Sequence, residues 1–533
     1  MSVTAIGRGT VGGMATASEP GAGAATEPVL APASGESAPV DERLGARFDL
    51  RGRSLRSHTA RGSVVNGAFV VGVNLINILK GFVVAIFVSA AEYGVWGILL
   101  VTFTSLLWLK SSVVGDKYIQ QDDDDQVAAF ERAFTFELLL SGAFLALLLA
   151  TLPLAALVYG RPELVAPGLV LAALVPASVL TTPIWVFYRR MDFVRQRLLQ
   201  AIDPVVAFAV TIGLAVAGAG YWSLVIGLVA GGWAMALVVL IVSPYRLRWR
   251  YDRAAAREYL SFSWPLFVAG GSSMLIPQVG LVVTEYAVGI AAVGAVALAA
   301  TITTYADRID QLITYSLYPA ICAVSDRLDL LFEAFVKSNR LALIWALPFA
   351  LAMTLFAADL VTSVLGDDWI QATLLLQVFG INTALYQVGF NWHVFYRARG
   401  ETRPTAVVAA GTAMTFGAVA VPLTLSAGLE GFAIGMVVMT VANFLLRMLY
   451  LSRLFPAFAI ARHVARAAAP TVPGVAVVLG VRLLETGERT LSLALGELAL
   501  YAITTLVATL LLERALLREV WGYLRAAPQP KAA

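Results

Sequence analysis

From residue 63 onward the chain is a succession of long apolar runs separated by short polar connections. Many runs reach 18 or more residues, long enough to cross about 30 Å of hydrocarbon as a helix. Alternation of the strand kind is absent, which excludes a membrane barrel. The pattern predicts fourteen spans, at 64–89, 93–114, 132–158, 164–187, 202–219, 221–243, 263–288, 291–323, 338–358, 370–393, 405–425, 430–452, 468–483 and 492–512. The expected fold class is all-α and integral to the membrane.

Residues 1–62 differ. The stretch "SEPGAGAATEPVLAPASGESAPVDE" is made of small, polar and acidic residues with few bulky apolar ones, and predicts a disordered cytoplasmic tail. It has no apolar core of the signal-peptide kind. Residues 513–533 are expected to form a cytoplasmic C-terminal tail.

Charge orients the spans. With the N-terminus inside, the inner connections carry 28 of the 38 Lys and Arg residues and the outer ones carry 3: Arg161, Arg482 and Arg489. The positive-inside rule therefore places both termini in the cytoplasm. The remaining cations lie in the tail or, as with Lys80, Lys110, Arg308 and Arg447, inside spans.

Composition agrees. The chain is 59% hydrophobic and 14% charged, with mean hydropathy +0.78, against about 25% charged in soluble domains. The single Cys322 excludes an internal disulfide framework. The excess of Arg over Lys and the abundance of Ala hint at a GC-rich bacterial genome. No sequence pattern calls for a cofactor, a metal or nucleic acid.

The chain repeats itself. Val-Phe-Tyr-Arg in "WVFYRRMDF" (185–193) recurs in "HVFYRARGE" (393–401), an offset of 208 residues. "AAEYGVWGILL" (90–100) matches "IAAVGAVALAA" (290–300) at an offset near 200. Both matches fall at equivalent points six spans apart. They predict two six-helix lobes related by pseudo-twofold symmetry along the membrane normal. The expected domains are a tail (1–62), an N-lobe (63–245), a basic linker (246–262), a C-lobe (263–453), two further spans (454–512) and a tail (513–533). Parallel repeats of this kind usually flank a central substrate path.

With the twelve-plus-two architecture, "AAEYGVWGILL" after the first span and "LGDDWIQATLLLQVF" (365–379), the chain resembles the polysaccharide flippases (Wzx-like) of the multidrug/oligosaccharidyl-lipid/polysaccharide exporter superfamily. The resemblance covers residues ~60–515. It implies translocation of an undecaprenyl-diphosphate-linked oligosaccharide across a bacterial inner membrane, for exopolysaccharide or cell-surface polysaccharide biosynthesis. Membrane lipids and an assembly of glycosyltransferases and polymerase would be its partners. It also implies that the first and eighth spans border the cleft between lobes.

The polar groups inside the spans are the candidate chemistry. An ionised side chain facing lipid at a helix centre costs about 2.5–3.5 kcal/mol, so Asp307, Arg308 and Asp310 of "TTYADRIDQL" must face protein or water. Arg308 lies roughly 25 Å from the outer start of its span, too deep to snorkel outward. On the first span Asn74, Asn77 and Gly81 share a stripe with Lys80 beside it. Given the implied juxtaposition, Lys80 and Arg308 would form a cationic pair for a diphosphate, Arg offering a bidentate fork. Asp307 and Asp310, three residues apart on one face, would repel each other and form a site for H+ or Na+ as coupling ion; Glu285 is a third candidate. Gln278, Asn382, Gln387 and Asn391 are candidates to meet sugar hydroxyls. In the plain alternative, the same charges form an ion-pair network that locks the lobes, and the amides bond between helices. Lys110 is placed to snorkel, and His393 lies alone near an interface. "QQDDDDQ" (120–126) reads as a solvated loop rather than a metal site.

The expected function is therefore a flippase working by alternating access. A drug/cation antiporter of the same superfamily is the alternative, disfavoured by the cations Lys80 and Arg308. A membrane glycosyltransferase or polymerase on the same lipid donor is disfavoured by the short outer connections. An inactive scaffold with this fold stays open.

Overall fold

The computed structural model describes residues 55–110, 113–120, 125–190, 192–253, 257, 275–324, 326–401, 403–485 and 489–525, some of them by backbone alone. Residues 1–54 of the expected N-terminal tail, much of the 246–262 linker and the first half of the seventh span lie outside the described residues, whereas 55–62 are helical and continue the first span within helix Leu55–Phe87. Among the described residues the chain is helical and contains no strand. Among the described residues seven helices are long and apolar enough to cross a membrane, or eight if the bent pair Ile460–Ala468 and Val472–Leu484 counts as one span. Fourteen is thus not reached by that measure: Arg403–Leu454 counts once over the eleventh and twelfth expected spans, and the tenth is broken, whereas the fourth is interrupted yet still passes as Pro162–Leu180.

The breaks have local causes. The fourth expected span is three short helices, Val165–Ala172, Leu174–Leu180 and Ile184–Arg189. Pro176 and Pro183 each lack an N–H and crowd the carbonyl four residues back, so the helix is interrupted before each. The Trp233 indole N–H donates to the Ala173 carbonyl, at the first break, at 3.0 Å. The tenth breaks between Ala372–Gln387 and Trp392–Ala398, where Gly389 has φ 70°. Both breaks stand just before a Val-Phe-Tyr-Arg segment. Helix Val421–Leu454 is interrupted at Gly428 (φ 60°, ψ −135°), a conformation open to glycine.

In the spanning helices only 22–44% of each apolar stretch is buried. Leu157, Ile241, Leu483 and Leu511 are 71–86% exposed. A protein with this much apolar exterior requires a lipid environment. The chain is a multi-pass membrane protein.

The two halves meet along one helix pair, Ala90–Lys110 and Ile290–Ala323. A Cβ on Gly94 would stand 2.2 Å from the Ile290 carbonyl oxygen, and one on Gly294 would stand 1.8 Å from the Ala90 carbonyl oxygen. One on Gly97 would stand 2.6 Å from the Ala297 Cβ. The contact is reciprocal, as a twofold relation requires: residues near 90 meet those near 294, and those near 94 meet those near 290. Small residues at helical spacing let the two backbones touch.

Packing divides the molecule lengthwise. At the arginine-poor end one apolar core runs through both halves, joining Tyr93, Phe144 and Leu164 to Val293, Trp369 and Phe432. Toward the arginine-rich end the cores are separate. Tyr118, Phe130 and Val186 form one in the first half; Phe335, Phe395 and Phe455 form another in the second.

Candidate functional site: a cleft between the halves

The joining helix pair reveals where the halves part. Ala90, Gly94, Gly97, Val101 and Thr104 lie on one stripe by steps of four and three residues, as do Ile290, Gly294, Ala297, Thr301 and Thr304. At 94, 97, 294 and 297 the stripes are buried in backbone contact. Seven residues on, about 10 Å farther along the helix, Thr104 and Thr304 are both exposed. Their hydroxyls donate to their own helix backbones, to Leu100 and Thr301 carbonyls respectively, both at 2.7 Å. The helices have therefore diverged, opening a cleft toward the arginine-rich end.

Helix Leu55–Phe87 borders that cleft. Gly81 stands beside Tyr305, whose hydroxyl would lie 3.7 Å from a Cβ at that position. The first and eighth expected spans are thus neighbours here. Asn77 and Asn74 continue the Gly81 stripe, and both are half-buried, as is Lys80. On helix 290–323, residues 308 and 311 continue the Thr304 stripe by register. The side chains of Asp307, Arg308 and Asp310, like that of Lys110, lie outside the described residues.

Lys80 has a neighbour that sequence reasoning missed. Asp203, on helix Phe193–Val216, faces it and acts on it electrostatically without closing a salt bridge. Asp203 Oδ1 is buried and lacks a hydrogen-bond donor. Gly231 of helix Trp222–Val242 makes room for that carboxyl, since a Cβ there would stand 2.4 Å from Oδ1. The signal was an acid about three turns inside helix Phe193–Val216; the expected boundary at 202 placed it at the very end of the span. One turn and a half earlier, the Arg197 guanidinium sits over the Phe69 ring at 5.0 Å.

The arginine-poor end is closed by polar contacts between the halves. Arg161 Nε donates to Glu285 Oε1 at 2.8 Å, and Glu163 accepts from the same guanidinium. The Glu285 side chain is 10% exposed, and its second oxygen is buried without a donor. Gln278, two turns along the same Leu275–Ala287 helix, donates to Thr102 Oγ1 at 3.3 Å and accepts from the Tyr159 hydroxyl at 3.4 Å. Gln278 and Glu285 therefore join the halves in this conformation.

The remaining amides are buried in the second half. Asn382 is 8% exposed, and neither side-chain atom has a hydrogen-bond partner. Gln387 is fully buried; its backbone carbonyl accepts from Asn339, which also bonds the His463 ring at 2.7 Å. Asn391 donates to Ser338 Oγ at 2.8 Å. Gln387 and Asn391 thus belong to a packed polar core rather than to the open face. His393 is half-buried beside Trp392. Of the acidic run, Asp122–Asp124 lie outside the described residues, and Asp125 caps helix Gln126–Tyr159 by accepting from the Ala128 N–H. Among the described residues no group of three or more His, Cys, Asp or Glu is placed to hold a metal ion.

Known proteins resemble this chain in both sequence and fold. The sequence profile of a family described as polysaccharide biosynthesis protein matches residues 83–374, more than half the chain. The chain belongs to that family. Among solved structures, it is similar to a lipid II flippase, MurJ, in an inward closed conformation, with TM-score 0.65 and 13% identity over 86% of this chain and 99% of that one. It is also similar to a multidrug resistance MATE family transporter of the MOP superfamily, inward-facing, with TM-score 0.57 and 14% identity over 74% and 100%. At such identities the likeness establishes the fold alone, which this chain shares with both structures. No curated protein matches the chain by sequence.

Proposed function

We propose that this member of the polysaccharide biosynthesis family is a flippase for a lipid-linked oligosaccharide, carrying an undecaprenyl-diphosphate-linked glycan from the cytoplasmic to the outer face of a bacterial inner membrane. The observation that carries the reading is the divergence of one symmetric helix pair, in backbone contact at Gly94 and Gly294 and exposed at Thr104 and Thr304. It supports alternating access, with the arginine-rich, cytoplasmic end open. The glycan and diphosphate would enter this wet cleft while the polyprenyl tail stays in lipid.

Lys80 and Arg308 would meet the diphosphate, with Asn74 and Asn77 beside them for sugar hydroxyls. Lys80 is available for this role because Asp203 faces it without closing a salt bridge. Opening toward the outside requires breaking Arg161–Glu285 and the Gln278 hydrogen bonds while the cytoplasmic end closes. Asp307 and Asp310 would take up H+ or Na+, biasing the two states differently. Gln278, Asn382, Gln387 and Asn391 would then serve the lobes' packing in this state and meet substrate only if the outward-open state uncovers them.

The test is reconstitution into vesicles carrying a fluorescent undecaprenyl-diphosphate oligosaccharide on one leaflet, with externally added quencher reporting its movement. The expected result is protein-dependent loss of quenching protection that Lys80→Ala abolishes. Movement of a hydrophobic cation, with none of the lipid, would favour the antiporter reading instead. Asp307→Asn with Asp310→Asn should keep substrate binding but remove the response to an imposed proton or sodium gradient. An unchanged response would assign those acids to structure.

A further inference from the structure

Away from the cleft, five charged side chains form a cluster at the arginine-poor end of the C-terminal helix pair. Arg482 ends helix Val472–Leu484, Glu497 stands in helix Leu491–Leu512, and Glu485 and Arg489 lie between them. Asp359, from the segment following helix Leu328–Leu355, completes the group. Both guanidiniums bridge the same two acids. Arg482 reaches Asp359 Oδ2 at 2.9 Å and Glu497 Oε2 at 3.0 Å. Arg489 reaches Asp359 Oδ1 at 2.6 Å and Glu497 Oε2 at 2.9 Å, and its third donor meets Glu485 Oε2 at 2.8 Å. Arg482 also donates to the Leu355 carbonyl at 2.9 Å and covers the Phe356 ring.

Three carboxylates face two guanidiniums, so the fully ionised cluster carries one uncompensated negative charge. Two of its oxygens have no donor: Glu485 Oε1 and Glu497 Oε1, both buried. Glu497 is 3% exposed, so water does not offset that charge freely. The two donorless oxygens belong to the acids held side by side by Arg489. We propose that Glu485 and Glu497 share one bound proton, and that the resulting neutral cluster clamps the C-terminal helix pair to the second half.

The proton comes from solvent, adds to one carboxylate and donates a hydrogen bond to the other, which removes both the excess charge and the two unsatisfied acceptors. Hydrogen bonding to Glu497, then burial, holds Glu485 above the ordinary carboxylate range, against the opposing pull of Arg489 and Arg482. Tyr501, farther along helix Leu491–Leu512, is occupied with the Pro348 carbonyl at 2.8 Å. Glu488 lies outside the described residues. A carboxyl raised in the folded state binds its proton more tightly there than when unfolded. The clamp is therefore complete at low pH and lost as pH rises through the pair's own titration.

The proposal can be tested on the full chain in lipid nanodiscs. Infrared difference spectra between mildly acidic and mildly alkaline pH should show a protonated-carboxyl stretch that disappears on alkalinisation. Glu485→Gln and Glu497→Gln should each remove that band, while Glu485→Asp keeps it. Melting temperature should fall with rising pH in the wild type and fall less in Glu485→Gln, whose amide stays neutral and can donate at any pH. A band that survives both Gln variants, or a melting profile in Glu485→Gln parallel to wild type, overturns the shared proton. Stabilisation by Na+ at constant pH that Glu485→Gln abolishes would also overturn it, since a metal cation would then occupy the place.

Discussion

One pair of helices behaves oppositely at its two ends. Along the stripe shared by Ala90–Lys110 and Ile290–Ala323, the arginine-poor end is backbone against backbone at Gly94 and Gly294, whereas Thr104 and Thr304 are exposed. The first contact excludes even a methyl group; the second leaves room for water. What differs is side-chain volume and polarity on a common helical face. The halves are joined where the stripe is smallest and parted where it carries hydroxyls. Such a seam can be opened by adding volume at one end and probed by adding reactive groups at the other.

The largest effect should follow from filling the closed end. Gly94→Val or Gly294→Val sets a side chain against a carbonyl that cannot rotate away. Overpacking of this kind costs about 1–3 kcal/mol, enough to shift a two-state equilibrium by roughly 5- to 150-fold. In a Cys322→Ala background, a cysteine at Thr304 should gain labelling from the arginine-poor side and lose it from the other, and export should stop. An unchanged labelling pattern would mean that this contact does not set the state.

Next comes the cleft itself. Lys80→Ala and Arg308→Ala should abolish export while leaving expression and monodispersity intact. Arg308→Lys should recover only part of it, because a point charge replaces a bidentate fork. Aggregation or failed insertion of Arg308→Ala would instead make that arginine part of a structural lock.

These two regions were unequally legible in the sequence. The Gly94–Gly294 contact was foreshadowed by the repeat of "AAEYGVWGILL" in "IAAVGAVALAA", since like segments related by a twofold axis meet their own equivalents. The stripe of Asn74, Asn77 and Gly81 was readable from spacing, and Gly81 does approach Tyr305. Partners across helices were not readable. Nothing in one dimension says that Asp203 faces Lys80, or that Glu285 is held by Arg161 from a connection 124 residues away. Pair contacts depend on rotation and depth of packed helices, and an expected start nine residues late, at 202 rather than Phe193, was enough to hide Asp203. The broken fourth span was spelled out by Pro176 and Pro183, yet apolar continuity across them outweighed the prolines.

A smaller effect should come from the ionic latch at the closed end. The Arg161 side chain is 32% exposed, so solvent screens the pair and holds its worth to about 1 kcal/mol. Glu285→Gln should raise arginine-poor-side labelling of a cysteine at Thr304 only a few-fold. Exchanging the charges, Arg161→Glu with Glu285→Arg, should restore the wild-type pattern. Restoration failing, with Glu285→Gln already inert, would leave closure to the glycine seam and the Gln278 hydrogen bonds.

The smallest effect concerns Asp203, and its sign is informative. Asp203 attracts Lys80 but stops short of a salt bridge, so under the proposed function an incoming diphosphate and this carboxylate would compete for one ammonium. Beyond contact distance, in a wet cleft, that attraction is under about 1 kcal/mol, a change of no more than about five-fold in affinity. Asp203→Asn should therefore tighten binding of undecaprenyl diphosphate to the purified protein by less than that factor, measured by calorimetry in detergent. Turnover at saturating substrate should fall in step, because release from Lys80 loses its competitor. Weaker binding would reverse the assignment: the carboxylate would then be aiming Lys80 at the substrate rather than competing for it, and Asp203→Glu should recover the loss.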